Sequence, residues 1–307
     1  MSALRSKERP AWFYRLVLIA ATAVWGGNFV ICKDAVSQLH SNWFISIRFA
    51  IAGILLALIF LPRMRKAMNK ELLVAGCAIG FFTFLGYGSQ FLGLMGTTPS
   101  KNAFLSACYC VTVPFIWWIV KRRKPTAGNL LAAAVCVLGM GFVTLEGDLS
   151  ISWGDGVSIL SAVLYGTEIV AIALLIKDHD LIAITAIQMF SCGVYAAIFA
   201  LLSGTPFSTE AFSSPSFLAE LAYAILLSSC FASTAQNLAQ TKIPPAQVSL
   251  LFSLESVFAT VFSLAFYGEA LTAKTLVGFA LIFVAILVSE LRGDSRDSSS
   301  GSQRAKS

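Results

Sequence analysis

Residues 236–290 read QNLAQTKIPPAQVSLLFSLESVFATVFSLAFYGEALTAKTLVGFALIFVAILVSE, and this stretch decides how the rest of the chain is interpreted. Two apolar blocks, 245–266 and 272–289, each have about the 20 residues that a helix needs to cross a bilayer. One carboxylate, Glu255, lies near the middle of the first block. At that depth a carboxylate is costly unless it is neutral, paired or facing water. The pattern therefore indicates a polar pathway between membrane-spanning helices.

Composition places the whole chain in the same class. The sequence is 57% hydrophobic and 12% charged, with a mean hydropathy of +0.78, whereas soluble domains are about 25% charged. An all-α polytopic membrane protein follows. The net charge of +6 does not indicate nucleic-acid binding, because the basic residues lie in loops between apolar spans. The expected partners are the lipid bilayer and a small-molecule substrate.

The apolar stretches predict about ten transmembrane helices. The chain is divided into a cytoplasmic segment at 1–12, a first five-helix repeat at 13–146, a second at 153–290, and a disordered cytoplasmic tail at 291–307. The predicted spans are 13–32, 42–61, 72–95, 99–120, 128–146, 153–176, 181–203, 218–240, 245–266 and 272–290.

Basic residues predict the orientation of these spans. With the amino terminus in the cytoplasm, three of the 22 lysines and arginines (Lys33, Lys101 and Lys274) fall outside and Arg48 lies within a span, which leaves 18 on the cytoplasmic side. Cytoplasmic loops carry such an excess. We therefore expect ten spans, both termini in the cytoplasm, and a location in the plasma (inner) membrane.

The two halves of the sequence also match each other. Because each half has five spans, an odd number, the second half enters the membrane from the opposite face, which is the plan of an inverted repeat. The matches at an offset of 140 are Trp25 with Tyr165, Asn28 with Glu168, Arg48 with Gln188 and Gly53 with Gly193, and those at 146 are Gln90 with Gln236 and Tyr109 with Glu255.

Short motifs in both halves resemble a known family. Their order and spacing, over about residues 13–290, are similar to those of the drug/metabolite transporter superfamily, EamA type. The resemblance implies export of amino acids and other small metabolites. One departure is Arg122-Arg123, where that family commonly has the Gly-Glu seen here at Gly268-Glu269. The motifs are Trp25-Gly26-Gly27-Asn28-Phe29, Arg48-Phe49, Pro245-Ala246, Leu254-Glu255-Ser256-Val257-Phe258, Gly268-Glu269-Ala270-Leu271-Thr272 and Gly278-Phe279-Ala280-Leu281-Ile282.

Polar residues inside the spans lie on single helix faces. Thr83, Tyr87 and Gln90 follow each other at +4 and +3. Such side chains can hydrogen-bond helices together or line a cavity, and both interpretations stay open. The corresponding faces elsewhere carry Ser229, Ser233, Gln236 and Gln240 in the eighth span, Trp25, Asn28 and Cys32 in the first, and Ser161, Tyr165 and Glu168 in the sixth.

We assign these residues roles in a central substrate cavity. Glu168 and Glu255 are the candidates for proton coupling, because a carboxyl group held away from water can exchange a proton as its surroundings change. Contact near the midplane is expected from Gln90, Tyr109, Gln236 and Glu255. Trp25, Asn28, Tyr165 and Glu168 are expected to line two entrances. Tyr87 and Ser233 complete the predicted substrate-binding set.

Several further residues have structural alternatives. Arg48 is either a gate or part of the scaffold, with an ion pair or a capped carbonyl as the structural interpretation. Glu255 is expected on the face of Leu251, Phe258 and Phe262, away from a stripe of small residues. Pro114 is expected to break the fourth span. Gly76-x-x-x-Gly80 fits either internal packing or a homodimer.

Catalytic and metal-binding groups are not expected. His40 and His179 lie in loops on opposite sides, Cys108 and Cys110 point apart on a helix, and no phosphate loop is present. We therefore expect no cofactor and no metal, and a secondary transporter of an amino acid or related metabolite, with export as the expected direction. The alternatives are a membrane enzyme acting on a lipid-linked substrate, with Asp155 or Glu269 as acid–base groups, and a scaffold or receptor that does not transport.

Overall fold

The chain is built from helices of very different lengths. The computed structural model describes residues 9–31, 35–97, 99–144, 152–267 and 272–293, and these residues form helices, turns and no β-strand. In the first half the helices are α1 (Ala11–Ile31), α2 (Ala35–Gln38), α3 (Ser41–Ile59), α4 (Leu61–Ala67), α5 (Lys70–Leu94), α6 (Pro99–Ala107), α7 (Tyr109–Lys121) and α8 (Ala127–Thr144).

The second half begins with two long, uninterrupted apolar helices. A 3₁₀ turn (Ile176–Asp178) precedes α10, another (Glu210–Ser213) precedes α11, and a π-helical segment (Ala224–Phe231) joins α11 to α12. The helices are α9 (Trp153–Leu175), α10 (Leu181–Leu202), α11 (Pro215–Tyr223), α12 (Ala232–Gln240), α13 (Pro245–Phe252), α14 (Leu254–Tyr267) and α15 (Ala273–Gly293).

The helices make this a multi-pass membrane protein. Seven stretches of the described chain are long and apolar enough to cross a membrane, and two shorter apolar helices, Ala127–Phe142 and Ala273–Ser289, accompany them. An all-helical protein with several membrane-crossing helices is therefore confirmed, whereas the number of ten spans stays a prediction. Residues 294–307 of the predicted tail and the turn at 268–271, which holds Glu269, lie outside the described residues. The seven stretches are Ser41–Ile59, Lys70–Leu94, Asn102–Lys121, Trp153–Asp178, Leu181–Leu202, Pro215–Gln240 and Pro245–Phe262.

Side-chain caps fix where three of the long helices begin. Asn69 accepts a hydrogen bond from the backbone of Leu72 at 2.7 Å, and Asp180 accepts from two backbone N–H groups of α10. At the start of α9, Ser152 and Asp155 form a reciprocal capping box. Each cap satisfies backbone donors that have no partner within the helix. The carboxylate of Asp155 is thus used for helix capping.

Glycines let two helices of opposite halves touch along their length. A Cβ built on Gly53 of α3 would lie 2.5 Å from the backbone nitrogen of Phe190 in α10, and one built on Gly193 would lie 2.7 Å from the carbonyl oxygen of Ser46. These two glycines are the pair related by the 140-residue offset. Small residues of this kind allow membrane helices to approach closely.

The Gly76-x-x-x-Gly80 motif is used inside the chain. A Cβ on Gly76 would meet the side chain of Ile187, and one on Gly80 would meet Ser191 and the backbone of Gln188, all on α10. Both glycines therefore serve the contact between α5 and α10. This motif gives no support to a homodimer, which stays a prediction without an interface.

Two helices are interrupted at matching places. Cys108 separates α6 from α7, and Ser253 separates α13 from α14, and each interruption is a tight turn with a bond between residues three apart. The two positions agree with the 146-residue offset to within one residue. Pro114 does not mark the break, as we had expected, but lies inside α7. Its missing N–H frees the carbonyl of the residue four positions earlier, so its effect falls near the start of that helix.

The glycine contact generates a stability prediction. Gly193→Leu is expected to lower the melting temperature in detergent, because overpacking a close helix contact costs about 1–3 kcal/mol. Gly156→Leu is the matched control, since a Cβ at this exposed position meets nothing within 4 Å. Thermal unfolding followed by size-exclusion chromatography makes the comparison. Equal melting temperatures for the two variants would contradict the close packing of α3 on α10.

Candidate functional site

The interruptions in α6/α7 and α13/α14 position two of the predicted site residues. Tyr109 is the first residue of α7, and Glu255 is the second residue of α14. Tyr109 is buried, whereas Glu255 is half-buried. Discontinuous helices are the usual source of midplane binding groups in transporters built from repeats.

Aromatic side chains connect Tyr109 to other helices of both halves. Six rings form a continuous series, which we call the aromatic chain, in which neighbouring rings meet edge-on at distances typical of favourable aromatic pairs. The centroid distances are 5.1 Å for Phe49–Tyr87, 5.6 Å for Tyr87–Tyr165, 6.4 Å for Tyr165–Tyr109, 6.1 Å for Tyr109–Phe252 and 5.3 Å for Phe252–Trp25.

Gln90 joins the aromatic chain directly. The hydroxyl of Tyr165 donates a hydrogen bond of 2.9 Å to the side-chain oxygen of Gln90, and Asn102 donates to the Gln90 carbonyl at 2.9 Å. Gln90 and Tyr165 are both half-buried. Tyr165 therefore lies beside Gln90, a residue predicted for the midplane, and its predicted place at an entrance stays a prediction.

Glu255 has a charge that acts on the aromatic chain, but the described residues give it no hydrogen-bonding partner. Its carboxylate is within electrostatic range of Tyr87, Tyr109 and Tyr165. It accepts no hydrogen bond from any residue that the structure describes. Phe258, which we expected on the same face, packs against Gly26 of α1. Leu251, also expected on the face of Glu255, belongs to α13, which ends before the interruption at Ser253, whereas Glu255 belongs to α14.

Glu168 has the opposite environment. It is buried, with 6% of its surface exposed, and its Oε1 accepts hydrogen bonds from Thr83 at 2.7 Å and from Gln188 at 3.1 Å. Asn237 of α12 donates to Gln188 at 2.8 Å and extends the network to a fourth helix. This closed network ties α5, α9, α10 and α12 together. Glu168 does not line an open entrance in this structure.

Arg48 is a buried cation that is held by hydroxyl groups and aromatic rings. Its Nε donates to Ser229 at 2.8 Å and its Nη2 to Ser228 at 2.9 Å. The guanidinium lies 4.7 Å from the centroid of Phe49 and 5.3 Å from that of Tyr87. The ion pair and the capped carbonyl that we considered for it are both replaced by hydroxyl and ring contacts.

The remaining predicted residues lie on helices that surround this region. Trp25 donates from its indole nitrogen to the carbonyl of Ser228 at 3.0 Å. Asn28 is half-buried on α1, while Ser233 and Gln236 are buried on α12, which packs against α1. Farther along α12, both amide atoms of Gln240 are buried without a partner among the described residues.

Two residues of the buried network were not predicted. The sequence analysis considers Gln188 only as the repeat match of Arg48. It assigns no role to Asn237, which is next to Gln236. The signal for both was an amide side chain inside an apolar span, where an unsatisfied polar group is costly.

A polar surface cavity of about 510 Å³ lies apart from the aromatic chain, at one end of α4 and α10. It is lined by Arg63, Lys66, Asn69, Asp178 and His179, together with Asp180, which pairs with Arg63 at 2.5 Å. The other histidine, His40, caps α3. Among the described residues, histidine, cysteine and carboxylate side chains form no group that could hold a metal ion.

The Glu168 network generates a second stability prediction. Glu168→Ala removes the acceptor shared by Thr83 and Gln188, and is expected to destabilise the fold by about 1–3 kcal/mol. Glu168→Gln keeps an acceptor oxygen and should cost less. Glu71→Ala, at an exposed position in α5, is the control. Melting temperatures in detergent rank the stability of the three variants. A Glu168→Ala variant as stable as Glu71→Ala would show that the network does not stabilise the fold.

Comparisons with known proteins agree with this architecture. A solved crystal structure that is 13% identical superimposes with a TM-score of 0.76 over 91% of this chain and 97% of its own, which shows a shared fold. An uncharacterized transporter of Archaeoglobus fulgidus is 29% identical over 281 residues, covering 90% of this chain and 85% of that protein. The threonine/homoserine exporter RhtA of Escherichia coli (strain K12) is 23% identical over 297 residues, covering 93% and 94%.

The family assignment rests on most of the chain. The sequence profile of the EamA-like transporter family matches residues 12–145 and again residues 152–291. The two matches follow one another with a short gap, and together they cover the described helices except for the first residue of α1 and the last two of α15. The chain belongs to the EamA-like transporter family.

Proposed function

We propose that this protein is a secondary transporter that moves a small metabolite, an amino acid or a related compound, across the plasma membrane by alternating access. The observation that carries the proposal is the aromatic chain with Glu255 within electrostatic range of it, because helices of both halves contribute to one group of buried and half-buried polar and aromatic side chains. Sites for small molecules are mostly apolar with a few placed polar groups. The name of RhtA, an exporter, supports export as the direction.

We further propose that residues 13–146 and 153–290 are two inverted repeats of five spans each. Two successive family matches support this organisation. So do the paired interruptions at Cys108 and Ser253 and the contacts between helices, since α5 packs on α9 as α12 packs on α1. In transporters built from inverted repeats, alternating access exposes the site to each side in turn.

Of the two carboxylates considered for proton coupling, Glu255 is the better supported. Glu168 is engaged by Thr83 and Gln188, so a change in its protonation would disturb a buried network. Glu255 accepts no hydrogen bond from the described chain and is free to bind solute or proton. Glu168 is then a residue of the scaffold that supports the site.

The alternative functions have less support. A membrane enzyme would need Asp155 or Glu269 as its acid–base group. Asp155 instead caps α9 and accepts a hydrogen bond from Thr97. A receptor or scaffold without transport predicts binding without flux. Transport into or out of sealed vesicles separates these functions.

Glu255→Gln tests the proposed mechanism. In proteoliposomes we expect solute flux to fall by about tenfold or more, because removing a charge used in binding typically costs a few kcal/mol, and we expect any dependence on an imposed pH gradient to disappear. Glu71→Gln makes the same chemical change at an exposed position and should transport normally. Unchanged rate and unchanged pH dependence in Glu255→Gln would remove this residue from the mechanism.

Reporter fusions test the proposed orientation. With both termini in the cytoplasm, green fluorescent protein fused to the carboxyl terminus should fluoresce, and alkaline phosphatase fused there should be inactive. The physical reason is the excess of lysine and arginine on the proposed cytoplasmic side. Active phosphatase at the carboxyl terminus would require an odd number of spans or the reverse orientation, and would contradict the inverted repeat as drawn.

A further inference from the structure

The polar surface cavity at one end of α4 and α10 is lined by both halves of the chain. Its volume is about 510 Å³. The segment that follows α3 lines one side, and the segment that leads into α10 lines the other. The polar lining residues are Arg63, Lys66 and Asn69 from the first half, and Asp178, His179 and Asp180 from the second. The proposed transport mechanism uses none of these side chains.

Hydrogen-bond donors in this cavity outnumber the acceptors that are still available. Both oxygens of Asp180 are occupied, because Oδ1 caps α10 and Oδ2 accepts from Nε of Arg63 at 2.5 Å. Within the described chain, the two Nη atoms of Arg63, the ammonium group of Lys66 and the side-chain nitrogen of Asn69 donate to no residue. Asp178 is the one lining carboxylate without a described partner. The cavity therefore suits an anion with several oxygen atoms.

The two segments that line the cavity carry an excess of positive charge. Residues 60–71 and 176–181 together hold five lysines and arginines and three carboxylates, which leaves a net charge of +2 with histidine neutral. One of these carboxylates, Asp180, is already used by Arg63 and by the start of α10. The charged residues are Arg63, Arg65, Lys66, Lys70, Glu71, Lys177, Asp178 and Asp180.

The basic helix α4 lies between two helix ends that expose apolar side chains. Before it, Leu58 and Ile59 at the end of α3 are 62% and 68% exposed. After it, Leu73 and Val74 near the start of α5 are 47% and 60% exposed. Exposed apolar residues of membrane-spanning helices contact acyl chains, and basic residues directly beyond the span lie among the lipid headgroups. The cavity is therefore at the depth of the phosphate groups of the bilayer.

From this arrangement we infer that the cavity binds the headgroup of an anionic phospholipid, that Arg63 and Lys66 hold its phosphate, and that the lipid links the two halves at this end. Arg63 already joins the halves through Asp180, and its Nη atoms can pair with phosphate oxygens. Basic pockets beside membrane helices bind anionic headgroups in this way. The inference goes beyond the proposed function, because it depends neither on the solute nor on the direction of transport.

Native mass spectrometry and thermal unfolding test this inference on the purified protein in detergent. The protein is titrated with phosphatidylglycerol, with phosphatidylcholine that has the same acyl chains, and with inorganic phosphate. Phosphatidylglycerol should stay bound and raise the melting temperature, whereas the other two should do neither. Lys66→Gln removes one cation of the cavity and should weaken phosphatidylglycerol binding by about fivefold, the effect of one basic residue at a membrane surface.

Matched variants of α4 separate the cavity from the general charge of the surface. Arg65→Gln removes the same charge from the same helix but lies outside the cavity lining, so it should bind phosphatidylglycerol as wild type does. Lys66→Arg keeps the charge and should retain binding. Both positions are exposed, so these variants are expected to fold.

Three results would overturn the inference. The first is unchanged binding of phosphatidylglycerol by Lys66→Gln, and the second is an equal loss in Lys66→Gln and Arg65→Gln, which would reduce the effect to net charge. The third is equal stabilisation by inorganic phosphate, which would make the cavity a site for a free anion. None of these measurements involves solute flux, so each leaves the proposed transport function unaffected.

Discussion

The structure depends on the cost of placing polar side chains among lipid-crossing helices. Such a group must be bonded inside the protein, paired with an opposite charge or kept in contact with water. Glu168 meets the first condition through Thr83 and Gln188. Glu255 and Arg48 meet it incompletely within the described chain. The proposed site depends on this difference between one buried group that is satisfied and two groups that are available.

The fold brings the available groups together by interrupting two helices. The first turn after each interruption carries a predicted site residue: Tyr109, which is part of the aromatic chain, in one half, and Glu255, which lies within electrostatic range of it, in the other. The close glycine contacts between α3 and α10 pack these two helices tightly against each other. A tightly packed scaffold and a region of half-buried side chains between the halves are what alternating access requires.

Much of this arrangement could be predicted from the sequence because it follows from helix periodicity. The spacing of Thr83, Tyr87 and Gln90 placed them on one face, and all three contact α9. The position of the helix breaks could not be read from Pro114, since the turn at Cys108 depends on packing. The partners of Arg48 and Glu168 come from other helices, and no local pattern specifies which of the available polar groups they will meet.

The central claim is that polar residues of both halves border one water-accessible region. Its most direct measurement is the labelling of single cysteines by a membrane-impermeant thiol reagent, in protein whose seven native cysteines are replaced. Cysteines at Gln90, Tyr109, Gln236 and Glu255 should react, whereas a cysteine at Phe283, on the exposed outer face of α15, should not. Failure of all four to react from either side of the membrane, with the protein folded, would contradict the account.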